Sequence, residues 1–230
     1  MPGKPDQLPR IGYCTNVHDG ATLEAMQREL ETHAVRVREL IAPNEPLDIG
    51  LWLSASAADE LIRSGGVPAF RDWLHERGLR VFTMNGFPYG DFHGEVVKHR
   101  VYEPSWAETE RTDYTMNLAR ILAGLIDEGE RASISTVPIG WPGAPCKPVD
   151  QPRAASRLRN LAKQLAQLRD ETDRHITVDL EPEPGCILQT SYDAVRFFST
   201  HLTGSHVREH LGLCHDICHE IVMFADERAM

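Results

Sequence analysis

Two short segments of this 230-residue chain concentrate side chains that could bind a cation or move a proton. The first, LEPEPGC at positions 180–186, carries Glu181 and Glu183, with Pro182 and Pro184 restricting the backbone on either side of Glu183. The second, HDICHE at positions 215–220, carries His215, Asp216, His219 and Glu220. Asp216 and His219 are three residues apart, a spacing that puts both on one face at the start of a helix. A set of carboxylates and an imidazole suits a transition metal better than calcium. The metal ligands expected are therefore Glu181, Asp216 and His219, around one divalent ion (Mn, Mg, Co or Zn). Two other readings of HDICHE stay open. Asp216 could serve only as a helix N-cap, with His219 and Glu220 in the first turn. Cys214, His215, Cys218 and His219 could form a zinc set, although structural zinc sites usually draw on two separated ligand pairs.

The elements that must carry these residues follow from punctuation and periodicity. Short β-rich runs occur at Ile11–Asn16, Leu47–Leu53, Arg80–Asn85, Ala132–Pro138, His175–Leu180 and Leu211–His215. Helical patterns lie between them, at Thr22–Leu40, Ala57–Ile62, Val67–Glu76, Thr109–Ile126, Ala154–Thr172 and Tyr192–Leu202, and a last helix begins near Asp216. Strict alternation of strand and helix predicts βαβ units and a parallel α/β sheet. No G-x-G-x-x-G or Walker pattern follows the first strand, so a nucleotide-binding doubly wound sheet loses its main support. The expectation is a single domain, 1–230, with a (β/α)8 TIM-barrel fold, apparently truncated after about six βα units because the chain ends within the sixth helix.

In such a barrel, reactive groups sit at the C-terminal ends of the strands. On the fifth strand, Ile176, Val178 and Leu180 alternate with Thr177, Asp179 and Glu181, so Glu181 points into the mouth if the apolar face meets the helices. The other strand exits supply candidate substrate-binding residues: His18 and Asn85, then Tyr89 and His93 in the long aromatic segment 86–106. A connection of that length in a compact domain is usually functional or disordered, and this one is too apolar for disorder. It is expected to fold over the mouth. Glu181 and Glu183 are the catalytic candidates, with Glu181 as the preferred acid/base.

Composition bounds the rest. A formal charge of −10 and the lack of a Lys/Arg cluster make nucleic acid an unlikely partner. No apolar run is long enough to span a bilayer. Five cysteines, an odd number outside any disulfide framework, and an N-terminus without a signal-peptide pattern lead us to expect a cytoplasmic location.

The segments GYCTNVHDG, FTMNGFPYGDFHG, SISTVPIGW, LEPEPGC and LGLCHDICH, in this order, resemble the metabolite traffic protein EboE family, within the xylose-isomerase-like TIM-barrel superfamily. The resemblance runs from about Ile11 to Ala225. It implies a fifth-strand Glu that is both metal ligand and acid/base, here Glu181, and a sixth-strand D-x-x-H, here Asp216 and His219. In the isomerase and epimerase branch a second Glu lies on strand eight, beyond the last strand identified here, so the 230-residue form is expected to have little or no isomerase activity. The implied function is a divalent-metal-dependent isomerase or epimerase acting on a small, sugar-like, polyhydroxylated carbonyl metabolite. The alternative is a non-catalytic metabolite-binding barrel in a transport or traffic pathway, with membrane-protein partners. Phosphodiester hydrolysis of the endonuclease IV type ranks last.

Overall fold

The computed structural model describes residues 10–90 and 99–224. Its centre is a six-stranded, wholly parallel sheet in the order β1-β2-β3-β4-β5-β6. The strands are β1 (Tyr13–Cys14), β2 (Leu47–Trp52), β3 (Leu79–Asn85), β4 (Arg131–Thr136), β5 (His175–Leu180) and β6 (Leu211–Leu213). Each strand pairs with its neighbour in sequence. That order is a barrel's progression and differs from a doubly wound sheet, which reverses direction at a switch point.

The helices are α1 (Leu23–Glu29), continued through a π-turn (Leu30–Ala34) into α2 (Val35–Ile41), then α3 (Ala55–Ser64), α4 (Val67–Glu76), α5 (Thr109–Leu125), α6 (Gln151–Thr172), α7 (Ser191–His201), α8 (Ser205–His210) and α9 (Ile217–Val222). Local chemistry sets several boundaries. The side chains of Ser54 and Asp150 cap α3 and α6 by accepting from Ala57 N and Arg153 N. Thr190 and Asp193 form a reciprocal capping box at the start of α7. Gly78, at φ +63°, turns the chain from α4 into β3.

The core lies between the sheet and these helices. Ile176, Val178 and Leu180 of β5 are buried in one cluster with Leu118, Ile121 and Leu122 of α5 and Leu158, Leu161 and Leu165 of α6. The apolar face of β5 therefore meets the helices. Thr177, Asp179 and Glu181 take the opposite face, as the alternation requires.

Several expected boundaries change. The first strand contracts from Ile11–Asn16 to two residues, because Thr15–Val17 closes a 3-10 turn. The sixth ends at Leu213, where pairing with β5 stops. Helix α6 begins at Gln151, since Pro152 is tolerated in its first turn. Strict alternation fails before β6, where α8 was not expected: six residues with only Val207 and His210 buried are too few to display a periodicity. No helix among the described residues is long and apolar enough to cross a membrane.

Candidate metal centre

The β5 exit places the first candidate ligand. The amide of Glu181 donates to Thr136 O (3.0 Å), extending the β4–β5 ladder one residue past the strand. Its side chain then enters the mouth beside Ser135 and Cys214. Two residues on, the Tyr102 hydroxyl lies by the Glu183 carboxylate and favours its ionised form, a partner that sequence reading did not identify. Tyr102 stacks on Trp141 with ring centroids 5.1 Å apart.

The turn after β6 supplies the other two. Asp216 caps α9: Oδ1 accepts from Cys218 N (2.7 Å) and His219 N (3.2 Å). Oδ2 lies 3.5 Å from His219 Nε2. Asp216 thus caps the helix, but capping does not exclude the cluster, because the two oxygens face different partners. Ligand atoms of Glu181, Asp216 and His219 all lie within 4.8 Å of one another. The four-residue zinc set does not assemble in the same way. The Cys214 thiol is engaged with Glu181, and His215 Nδ1 lies 3.0 Å from Ser191 Oγ.

Whether the trio suits a cation is decided by the imidazole. His219 Nδ1 lies 2.9 Å from Pro182 O. A carbonyl can only accept, so Nδ1 carries a proton, which leaves Nε2 as the ring atom turned toward the Asp216 carboxylate. Nε2 and Asp216 Oδ2 lie 3.5 Å apart, a pairing that either a proton on Nε2 or a cation between the two satisfies. Tetrahedral ligands at about 2.1 Å from an ion sit about 3.4 Å apart. A backbone carbonyl behind a ligating imidazole is also a usual outer partner of a metal site. The residues fit a divalent ion.

The electrostatics agree. Burial raises the pKa of Glu181, with further upward contributions from Asp216 and Glu183; His219 and Ser135 act in the opposite direction. Burial also raises Glu183 and Asp179. The Cys214 thiol is pushed up to about 12 by burial and by Glu181, Asp179 and Asp216. Several carboxylates thus share a poorly solvated space, and a cation relieves that repulsion.

A cleft of roughly 250 Å³ opens at this point, lined by Glu181, Glu183, His219, Asn16, Asn85 and Phe87 among others. Asn85 lines it while its Oδ1 accepts from Phe87 N (3.0 Å), bracing the β3 exit. The described parts of the long segment 86–106 contribute a wall through Phe87, Pro88 and Val101. Tyr89 is not brought to the carboxylates: it packs edge-on against Tyr114 (5.2 Å) and lines a separate depression with Asp59 and Glu110. His18 joins a different cluster with Tyr13 and His33. His93 lies outside the described residues. A larger, apolar groove of about 670 Å³ runs along α7, α8 and β6, away from the carboxylates.

Glu220, which seemed peripheral in sequence, is buried at 3% exposure and accepts from both Ser191 N and Ser191 Oγ at 2.6 Å. It fastens α9 to the start of α7 and so holds the short helix that bears His219.

No family model and no curated protein matches the chain, and nothing found supports the narrower resemblance to EboE. Solved structures do match. The L-ribulose 3-epimerase structure aligns at TM-score 0.58 and 14% identity, over 95% of this chain and 64% of that one. The IolI protein with a binding zinc atom aligns at TM-score 0.51 and 13% identity, over 94% and 66%. The 3-keto-D-glucoside 4-epimerase YcjR from E. coli aligns at 0.51 and 14%, over 92% and 69%. The chain thus spans about two thirds of the length of these structures. Its fold is that of a TIM barrel, represented by six parallel strands and their helices, as in these structures.

Proposed function

We propose that the chain binds a divalent metal through Glu181, Asp216 and His219 and carries the Glu181 half of an isomerase- or epimerase-like site for a small polyhydroxylated carbonyl compound, enough for proton exchange beside the carbonyl but with little or no full turnover in this 230-residue form. The observation that carries this reading is the convergence of Glu181, Asp216 and His219 ligand atoms within 4.8 Å of one another, with His219 Nδ1 held by Pro182 O so that Nε2 faces Asp216 Oδ2. The epimerase names of two fold neighbours, and the zinc atom named for a third, support it.

A bound ion would supply positive charge beside adjacent substrate oxygens and so lower the cost of negative charge appearing there. The chain's own residues would do the proton work. Glu181, with its pKa raised by burial, is the acid/base we assign, because a carboxylate lifted toward neutrality can both take and return a carbon-bound proton. Glu183 is the second candidate, oriented by the Tyr102 hydroxyl. The cleft's polar lining, which Asn16 and Asn85 share with the carboxylates, suits the hydroxyls of a sugar-like molecule.

The test is hydrogen exchange in D2O. Ketoses and aldoses are incubated with the protein and Mn2+, Co2+ or Zn2+, and deuterium at the carbon beside the carbonyl is followed by NMR. Metal-dependent exchange that disappears in Glu181→Gln is expected, and its absence with every substrate class and metal overturns the assignment. One observation favours metabolite binding without turnover: the cleft's carboxylates all lie at the β5 and β6 exits among the described residues. Saturable sugar binding without exchange in the same samples would select that reading.

A further inference from the structure

A second group of ligating side chains lies at the opposite edge of the sheet. His18 follows the 3-10 turn after β1, while Glu29 and His33 are one helical turn apart across the junction of α1 and the π-turn. Ligand atoms of His18, Glu29 and His33 all lie within 4.8 Å of one another. His33 Nε2 is 3.3 Å from Glu29 Oε2, and the His18 and His33 rings stack at 4.3 Å with 7° between planes. The Tyr13 hydroxyl lies 2.5 Å from His18 Nε2.

We propose that His18, Glu29 and His33 form a second divalent-metal site, selective for a nitrogen-preferring ion of the Zn2+ or Co2+ type. Two imidazoles and one carboxylate, with a position left for water, form a zinc-binding set. A carboxylate and an imidazole four apart on one helix face chelate as a pair. Their 3.3 Å separation already matches the edge of about 3.4 Å expected for tetrahedral ligands at about 2.1 Å. The third ligand must close by little more than about 1 Å from the upper bound of 4.8 Å. Parallel rings direct their in-plane lone pairs side by side, so binding has to turn one ring. His33, on the exposed helix face, has room to turn. The Tyr13 hydroxyl supplies the outer hydrogen-bond partner that orients a ligating imidazole. A π-turn beginning immediately after Glu29 and containing His33 is a second observation, because such local departures from α geometry collect at functional positions.

The consequence is structural. Strand β1 pairs with β2 over two residues only, and an ion shared by His18 and the α1–α2 segment would fasten this edge to its helix.

The experiment is a titration of the untagged, metal-free chain with Zn2+ by calorimetry and with Co2+ by visible absorption. The wild type, His33→Ala, Glu29→Gln and Asp216→Ala are compared, with circular dichroism to verify folding. Loss of one binding equivalent in both His33→Ala and Glu29→Gln, with that equivalent kept in Asp216→Ala, is the expected result. A Co2+ spectrum free of thiolate charge-transfer bands is also expected, since no cysteine belongs to the group. Unchanged stoichiometry in the His33 and Glu29 variants, no binding by the wild type, or a wild type that binds a single equivalent which Asp216→Ala abolishes would each overturn the proposal. His33 is exposed and Glu29 half-buried, so both variants should keep the wild-type circular dichroism, and Glu29→Gln keeps the side-chain volume.

Discussion

The Pro182 carbonyl does more for the proposed centre than either neighbouring proline ring, because it decides which nitrogen of His219 carries the proton. Saturating Zn2+ or Mn2+ should therefore raise the melting temperature. One-site linkage gives about 2.7 kcal/mol when free metal is a hundred times its dissociation constant, or a few degrees for a chain of this size. Asp216→Ala should remove that contribution. The increment should also shrink as pH falls. Burial raises Glu181, so protons compete with the ion at a pH above the ordinary carboxylate range. The metal-free stability runs the opposite way: a carboxyl with a raised folded pKa stabilises below its unfolded value and loses that contribution as pH rises through the folded value, the range in which metal restores it. Melting curves with and without metal at several pH values check this, and a pH-independent increment would contradict it. Tyr102 offers a cleaner probe. Its hydroxyl favours ionised Glu183, so Tyr102→Phe should move the Glu183 titration upward, read by carboxyl-carbon NMR. No upward movement would show that the hydroxyl has no hold on the carboxylate.

Among the elements, the β3 exit depends on one buried cation. Arg111 of α5 is fully buried and donates to Pro104 O (2.8 Å), Gly86 O (2.9 Å) and Phe87 O (3.0 Å). Burial lowers its pKa to about 10, so it stays protonated and ties the long segment's start and end to one helix. Arg111→Met should cost about 2–4 kcal/mol in denaturant unfolding, since it strands these carbonyls; a loss well under 1 kcal/mol would refute the role. The β5–β6 pair is similarly tight. A Cβ on Gly212 would come within 2.4 Å of Asp179 Oδ1, so Gly212→Ala should destabilise by about 1–3 kcal/mol through overpacking. What sequence could disclose varies with element length. The alternation of His175–Leu180 states both its faces, so Glu181's direction was readable before any coordinates. Helix α8 and the ends of β1 and β6 are too short for either period to emerge. The Tyr102–Glu183 and Ser191–Glu220 contacts join residues far apart in the chain, and no local pattern announces them. The placement of His18 and Tyr89 away from the carboxylates was equally hidden, because an exit position does not state which way a loop turns.

Over the whole molecule, the in-order parallel sheet explains why residues from the β5 and β6 exits meet: parallel strands present all their C-terminal ends to one side. The −10 charge adds a field that draws cations and repels polyanions. Duplex DNA should not be retained even at low salt, where electrostatic binding is strongest; retention in a gel-shift assay would reopen the nuclease reading. The central claim is that an ion sits between Glu181, Asp216 and His219. Its most direct test is the anomalous difference map of a crystal grown or soaked with Zn2+ or Co2+. The account predicts a peak at about 2.0–2.2 Å from a Glu181 oxygen, an Asp216 oxygen and His219 Nε2, with Nδ1 still on Pro182 O. A fully soaked crystal with no peak among these three atoms would contradict it.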